Sequence, residues 1–181
     1  QTIGNHVLVS LNLSSHDLKD KHFIDVVKNK LVKYNVDIAN IQFEITESSY
    51  LDNFENSNEF FNQIKQMGGS IALDDFGTGY SSLSYLTKID IDTIKIDRMF
   101  VNQFDSSEKD AAVLKAILDL SKRLGLKVCS EGIETASQAN YLIKNGSDEM
   151  QGYYFAKPVT IAHIPAAKAH AKEVFKALTL K

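Results

Sequence analysis

The sequence predicts an α/β protein, a TIM-like (β/α) barrel that is incomplete, with about six β/α units. Three observations carry this expectation. Short apolar runs rich in β-branched residues alternate with amphipathic segments along the whole chain. Several of these runs are apolar on both faces, as around Ile71-Ala72-Leu73 and Ile94-Lys95-Ile96, which suits parallel strands covered by helices. Lastly, Asn12, Glu44, Asp74-Asp75, Lys95, Glu131 and Gln151 each fall at or near the C-terminal end of a different predicted strand. A barrel brings such ends to one mouth, whereas an open sheet spreads them along an edge.

The predicted strands are 7–13, 41–46, 70–75, 93–97, 127–131 and 149–155, and the helical patterns between them cover 22–34, 56–67, 110–124 and 137–144. Ser14-Ser15 and Thr135 offer N-cap oxygens after strand ends. Gly68-Gly69, Gly125 and Asn145-Gly146 follow helical patterns, where a left-handed residue is tolerated. No Pro-rich linker or low-complexity stretch interrupts the series, so residues 1–181 read as one domain. A complete barrel has eight strands and about 250 residues, which predicts two further strands ahead of Gln1. Loss of those strands would leave unpaired edges and exposed apolar surface.

Composition narrows the function classes. The chain has 181 residues, 44% hydrophobic and 24% charged, and a formal net charge of −3. That balance gives no electrostatic basis for binding a DNA or RNA polymer. The basic cluster Lys168, Lys172 and Lys176 recurs at helical spacing and reads as a solvated helix face. Cys129 stands alone, which excludes an internal disulfide and a cysteine-based zinc site and suits a reducing compartment. No apolar run approaches the roughly 18 residues of a bilayer span, so the expected location is cytoplasmic, with no direct membrane insertion. The five histidines follow no ligand spacing.

The strand-end residues are the candidate chemistry. Asn12, Glu44, Asp74, Asp75 and Glu131 offer only oxygen, the donor that hard divalent cations such as Mg²⁺ or Mn²⁺ prefer. Side-chain alternation can relax at a strand end, so adjacent Asp74 and Asp75 could serve a pair of ions about 3.5–4 Å apart, suited to phosphodiester hydrolysis. Taken singly each has a duller reading: a turn for Asp-Asp, a strand-end cap for Glu44 or Glu131, an Asx-turn for Asn12. Lys95 has apolar neighbours and reads either as a group assisting an attacking water or as the partner in a structural ion pair. The segment Asp75-Phe76-Gly77-Thr78-Gly79-Tyr80-Ser81-Ser82 is a shaped loop; its Gly-x-Gly lacks the third glycine of a dinucleotide fingerprint, and its Asp-Phe-Gly lacks the other kinase signatures.

Six motifs in order, Ser10-Leu11-Asn12-Leu13-Ser14, Phe43-Glu44-Ile45-Thr46-Glu47-Ser48, Leu73-Asp74-Asp75 with its loop to Ser82, Ile94-Lys95-Ile96-Asp97, Ser130-Glu131-Gly132-Ile133-Glu134-Thr135 and Met150-Gln151-Gly152-Tyr153-Tyr154-Phe155, resemble the successive signatures of EAL-domain cyclic di-GMP phosphodiesterases. The resemblance implies metal-dependent opening of one phosphodiester bond of cyclic di-GMP, giving linear pGpG, in bacterial second-messenger signalling. It implies that Asn12, Glu44 and Asp74 bind one metal and that Asp74, Asp75 and Glu131 serve the second. Glu131 or Lys95 then assists deprotonation of water, Glu134 and Gln151 line the substrate side, and Glu47 supports the glycine-rich loop.

The Glu-Ala-Leu segment that names the family is absent, as is the Arg expected shortly after it. The expectation is N-terminal truncation of the domain, so this chain by itself could be inactive. Ser130 stands where the family usually has Ala. A homodimer and an attached regulatory or sensory domain are further implications. Two other readings stay open: a non-catalytic module that senses cyclic di-GMP, and a structural or interaction remnant.

Overall fold

A computed structural model of the chain describes residues 7–52, 54–78 and 83–179. Two compact units divide it, one up to Ile94 and the other from Lys95 onward.

The first unit opens with β1 (Val9–Leu13), α1 (Ser15–Lys19), α2 (Phe23–Tyr34) and β2 (Ile41–Thr46). It continues with α3 (Glu47–Asp52), α4 (Phe54–Gln66) and β3 (Ser70–Phe76), and it holds the start of β4 (Thr93–Ile96). Its strands follow one another in chain order, with β1 parallel to β2 and β2 parallel to β3. Ser14 and Asp17 cap α1 reciprocally, each side chain bonding the other's backbone N–H. Asn35 ends α2 at φ 49°, the left-handed region that asparagine tolerates. Helix α4 buries Phe60, Phe61 and Ile64, and the Phe60 ring meets Phe43 of β2 edge-on; Ile45, Ile71 and Leu73 of the strands are buried as well. Strand β2 is buried on both faces from Gln42 to Ile45 although its residues alternate apolar and polar, and the Gln42 amide donates to the Thr93 hydroxyl at 3.1 Å. By contrast, β1 is exposed from Val9 to Asn12, leaving apolar Leu8, Val9 and Leu11 uncovered among the described residues.

The second unit holds the end of β4, then α5 (Arg98–Gln103), α6 (Glu108–Arg123), β5 (Lys127–Ser130), α7 (Ala136–Lys144), β6 (Glu149–Met150) and α8 (Ile164–Thr179). Strand order again follows the chain, and β5 runs parallel to β6. Asp97, Ser107 and Thr135 cap α5, α6 and α7 with their side-chain oxygens. Ile96, Val101, Leu114, Leu118, Val128, Ile133 and Leu142 form the core. Ser130, fully buried, satisfies its hydroxyl with Ser147 at 2.9 Å, which explains how this strand accepts a polar residue there.

One device recurs at the starts of strands. Immediately before β4, the N–H of Asp92 donates to the carbonyl of Ile71, and its carboxylate accepts the N–H of Ile71 at 2.9 Å and pairs with Lys65. Immediately before β6, the N–H of Asp148 donates to the carbonyl of Val128, and its carboxylate accepts the N–H of Val128 at 2.8 Å. An aspartate one residue ahead of each strand thus extends the ladder by a side-chain bond.

Boundaries differ from the sequence expectation where local bonding intervenes. The strand expected to reach Asp97 stops at Ile96, because the Asp97 side chain turns to accept the N–H of Met99. The expected strand 149–155 shrinks to Glu149–Met150. Beyond it the N–H of Ile133 bonds the Gln151 carbonyl and the N–H of Tyr154 bonds the Ile133 carbonyl, folding the segment into turns. Helices α1, α3 and α5 span five or six residues, too few for periodicity to reveal. Lys168, Lys172 and Lys176 lie exposed along α8, the solvated face expected.

Replacing Asp148 by Ala leaves the part-buried Val128 N–H without its side-chain acceptor. We expect a loss of about 1–3 kcal/mol in urea unfolding, with Asp148→Asn retaining part of it.

Candidate functional site

In the first unit the parallel register aligns the oxygen donors. Asn12 is the direct partner of Glu44 across β1 and β2, and Glu44 is the partner of Ala72 across β2 and β3. Asp74 lies two residues beyond Ala72, and side chains repeat every second residue, so Asn12, Glu44 and Asp74 occupy one face of three adjacent strands. Glu44 is buried, Asp74 half-buried and Asn12 exposed.

Alternation alone would send Asp75 to the opposite face. The backbone breaks it: Asp75 sits at φ 54°, and its N–H donates to the Asp74 carboxylate at 3.0 Å. A left-handed aspartate costs about 1–2 kcal/mol relative to the right-handed form, less where its own side chain bonds locally. The turn is fastened on its far side. Thr78 donates its hydroxyl to the Asp75 carbonyl at 2.8 Å, and the N–H of Gly77 donates to the buried Glu47 carboxylate at 3.0 Å. Gly79, Tyr80, Ser81 and Ser82 of the expected loop lie outside the described residues.

In the second unit Lys95 and Glu131 form an ion pair at 2.8 Å, with Lys95 nearly buried and the Glu131 side chain 21% exposed. The ion-pair reading of Lys95 is therefore realised, and its partner is the other residue assigned to proton transfer. The N–H of Glu131 donates to the Ile96 carbonyl, which fixes the backbone from which the carboxylate projects. Glu134 and Gln151 are both exposed and line one open cleft of about 330 Å³ together with Glu131, Asp97, Arg98 and Tyr153.

Two glycines allow the walls of that cleft to meet. A Cβ on Gly132, which sits at φ +71°, would stand 2.3 Å from the Arg98 Cβ. A Cβ on Gly152 would stand 2.1 Å from the Ile133 carbonyl oxygen. Sequence reading assigned no role to Asp97, Arg98 or Tyr153. The first two lie two and three residues after Lys95 and the last two residues after Gln151, and turns take the place of the expected strand beside the cleft.

Among the described residues, no three His, Cys, Asp or Glu side chains close into a metal-binding group. The donors nevertheless fit a hard divalent cation in kind: Asn12, Glu44, Asp74 and Asp75 are all oxygen ligands, and Asn12, Glu44 and Asp74 share a face through the strand register.

The family model described as EAL domain matches residues 1–158. The cyclic di-GMP phosphodiesterase PdeR of Escherichia coli is 38% identical over 86% of this chain, which covers 24% of that protein. Among solved structures, the MucR phosphodiesterase of Pseudomonas aeruginosa in complex with c-di-GMP superposes with a TM-score of 0.82 at 34% identity, over 87% of this chain and 64% of that one. A manganese and cy-diGMP complex of Klebsiella pneumoniae BlrP1 gives a TM-score of 0.77 at 27% identity, over 83% of this chain and 39% of that one. The chain spans 20–25% of the length of its curated relatives. Its α/β fold of parallel strands and helices is that of EAL domains, which are TIM-like barrels. With a match over residues 1–158 and these relatives in agreement, the chain belongs to the EAL domain family.

Proposed function

We propose that this chain is the greater part of a phosphodiesterase domain that hydrolyses cyclic di-GMP to linear pGpG in the presence of Mg²⁺ or Mn²⁺. The observation that carries the reading is the alignment of Asn12, Glu44 and Asp74 on one face, with the left-handed turn at Asp75 adding a fourth oxygen donor. Divalent cations, when bound, supply positive charge to the phosphoryl oxygens and acidify a water. Asn12, Glu44, Asp74, Asp75 and Glu131 are the residues assigned to hold them.

In the reaction the oxygen of water joins phosphorus, the P–O3′ bond breaks, and the 3′-oxygen leaves with a proton, opening the ring. Glu131 or Lys95 assists deprotonation of the attacking water; the 2.8 Å pair couples the two, so a proton gained or lost by one is felt by the other. Glu134 and Gln151, on the cleft that also contains Glu131, contact the nucleotide, and Glu47 holds the backbone of the loop through Gly77. A homodimer, an attached regulatory domain and a cytoplasmic location belong to the same proposal. No helix among the described residues is long and apolar enough to cross a membrane.

In the parent protein, Asp74→Ala and Glu131→Ala should each lower pGpG formation by at least about a hundredfold, followed by chromatography with Mn²⁺ or Mg²⁺, while the variants stay folded by circular dichroism. Wild-type-like rates in either variant would remove the assigned roles. Binding of cyclic di-GMP without turnover by the wild-type parent would make the domain a sensor instead.

Lys95→Met separates chemistry from binding. It should lower kcat by about 10²–10⁴, the range for a proton-transfer group, with little change in KM. A KM effect alone would reduce Lys95 to the ion pair.

A further inference from the structure

The Glu47 carboxylate and the Tyr85 hydroxyl are both buried in the first unit, and neither has its hydrogen-bonding capacity filled. Glu47 is 4% exposed and receives the N–H of Gly77, whereas a carboxylate offers about four acceptor sites. Tyr85 is 6% exposed, and its hydroxyl oxygen, cut off from solvent, lies near the Glu47 carboxylate without completing a well-formed hydrogen bond. Burial, and next to it the neighbouring Glu47 carboxylate, push the Tyr85 phenol well above its ordinary acidity range, so the O–H keeps its proton and remains a donor. Neither end is loose. The Tyr85 carbonyl accepts the N–H groups of Lys88 and Ile89, its ring packs 5.8 Å from that of Tyr50, and Tyr50 shares α3 with Glu47.

A buried O–H without a completed bond costs about 1–3 kcal/mol, and one O–H···O bond to Glu47 relieves it. We infer that Tyr85 is a positioning residue for the Asp74-Asp75 turn: in the metal-binding conformation its O–H donates to Glu47, which holds Gly77 and hence the left-handed Asp75. The inference rests on the reading of Asp74 and Asp75 as metal ligands. Tyr85 touches neither metal nor substrate; it acts by fixing the carboxylate on which the turn hangs.

Tyr85→Phe tests this, because phenylalanine keeps the ring packing and deletes only the hydroxyl. A packing role predicts an unchanged or raised melting temperature and nothing else, since an unsatisfied buried group has been removed. The positioning role predicts, at that same melting temperature, Mn²⁺ affinity of the chain lowered by about tenfold, read by electron paramagnetic resonance of free Mn²⁺. It also predicts amide exchange at Gly77 faster by about tenfold, read by NMR. Glu47→Gln should reproduce both changes, and the double variant should add little to either.

When the wild-type chain binds Mn²⁺, anything short of both changes in Tyr85→Phe overturns the proposal. Should the wild-type chain bind no Mn²⁺, the metal reading fails separately, and Gly77 exchange alone decides whether Tyr85 holds the turn through Glu47.

Discussion

The parallel register of β1, β2 and β3 is the constraint on which the rest of the first unit's chemistry depends. A parallel ladder fixes which residues stand side by side, and a one-residue slip sends every side chain to the opposite face. With Asn12 opposite Glu44 and Glu44 opposite Ala72, the register observed puts the three oxygen donors on one face and close along it. The register is held by what lies on the other side of the sheet. Phe43, Ile45, Ile71 and Leu73 are buried there, with the Phe43 ring edge-on to Phe60 of α4 at 5.7 Å, so a slip would expose large side chains of the core.

The donors gather negative charge in a small region, and the fold places local devices around it. Asp75 is turned into the left-handed region, its N–H spent on the carboxylate of Asp74, and the following residues are tied back by Thr78 and Glu47. These bonds offset the cost of an uncommon backbone conformation by using the very groups that the conformation exposes. In the second unit, the near-burial of Lys95 is compensated by its contact with Glu131. Burying a cation is costly unless it is paired, and this contact meets that need while leaving Glu131 partly open to solvent.

Much of this was legible in the sequence, and what escaped it has a physical reason. Strand β2 was read to the residue, because Ile41, Phe43 and Ile45 recur at every second position. The donors were legible because polar residues at the ends of apolar strands are conspicuous. Bond geometry was not. Nothing in the letters Asp74-Asp75 requires the positive φ of Asp75, and Met150-Gln151-Gly152-Tyr153 reads as a strand until the Ile133 backbone is seen to claim the Gln151 carbonyl. Tyr85 and Arg98 were missed because their significance lies in what they face, and that depends on contacts remote in sequence.

Those remote contacts explain why glycine stands at 132 and 152. Glu131, Glu134 and Gln151 reach a common cleft only if the backbones that carry them approach within van der Waals distance, and the pairing of Ile133 with Gln151 and Tyr154 draws them that close. The side chain of any other residue at 152 would occupy the space of the Ile133 carbonyl, and at 132 that of Arg98. Backbone hydrogen bonds could not then form at their present lengths, and the two segments would separate. The cleft is therefore shaped by backbone packing, with Glu134, Gln151 and Tyr153 exposed along it.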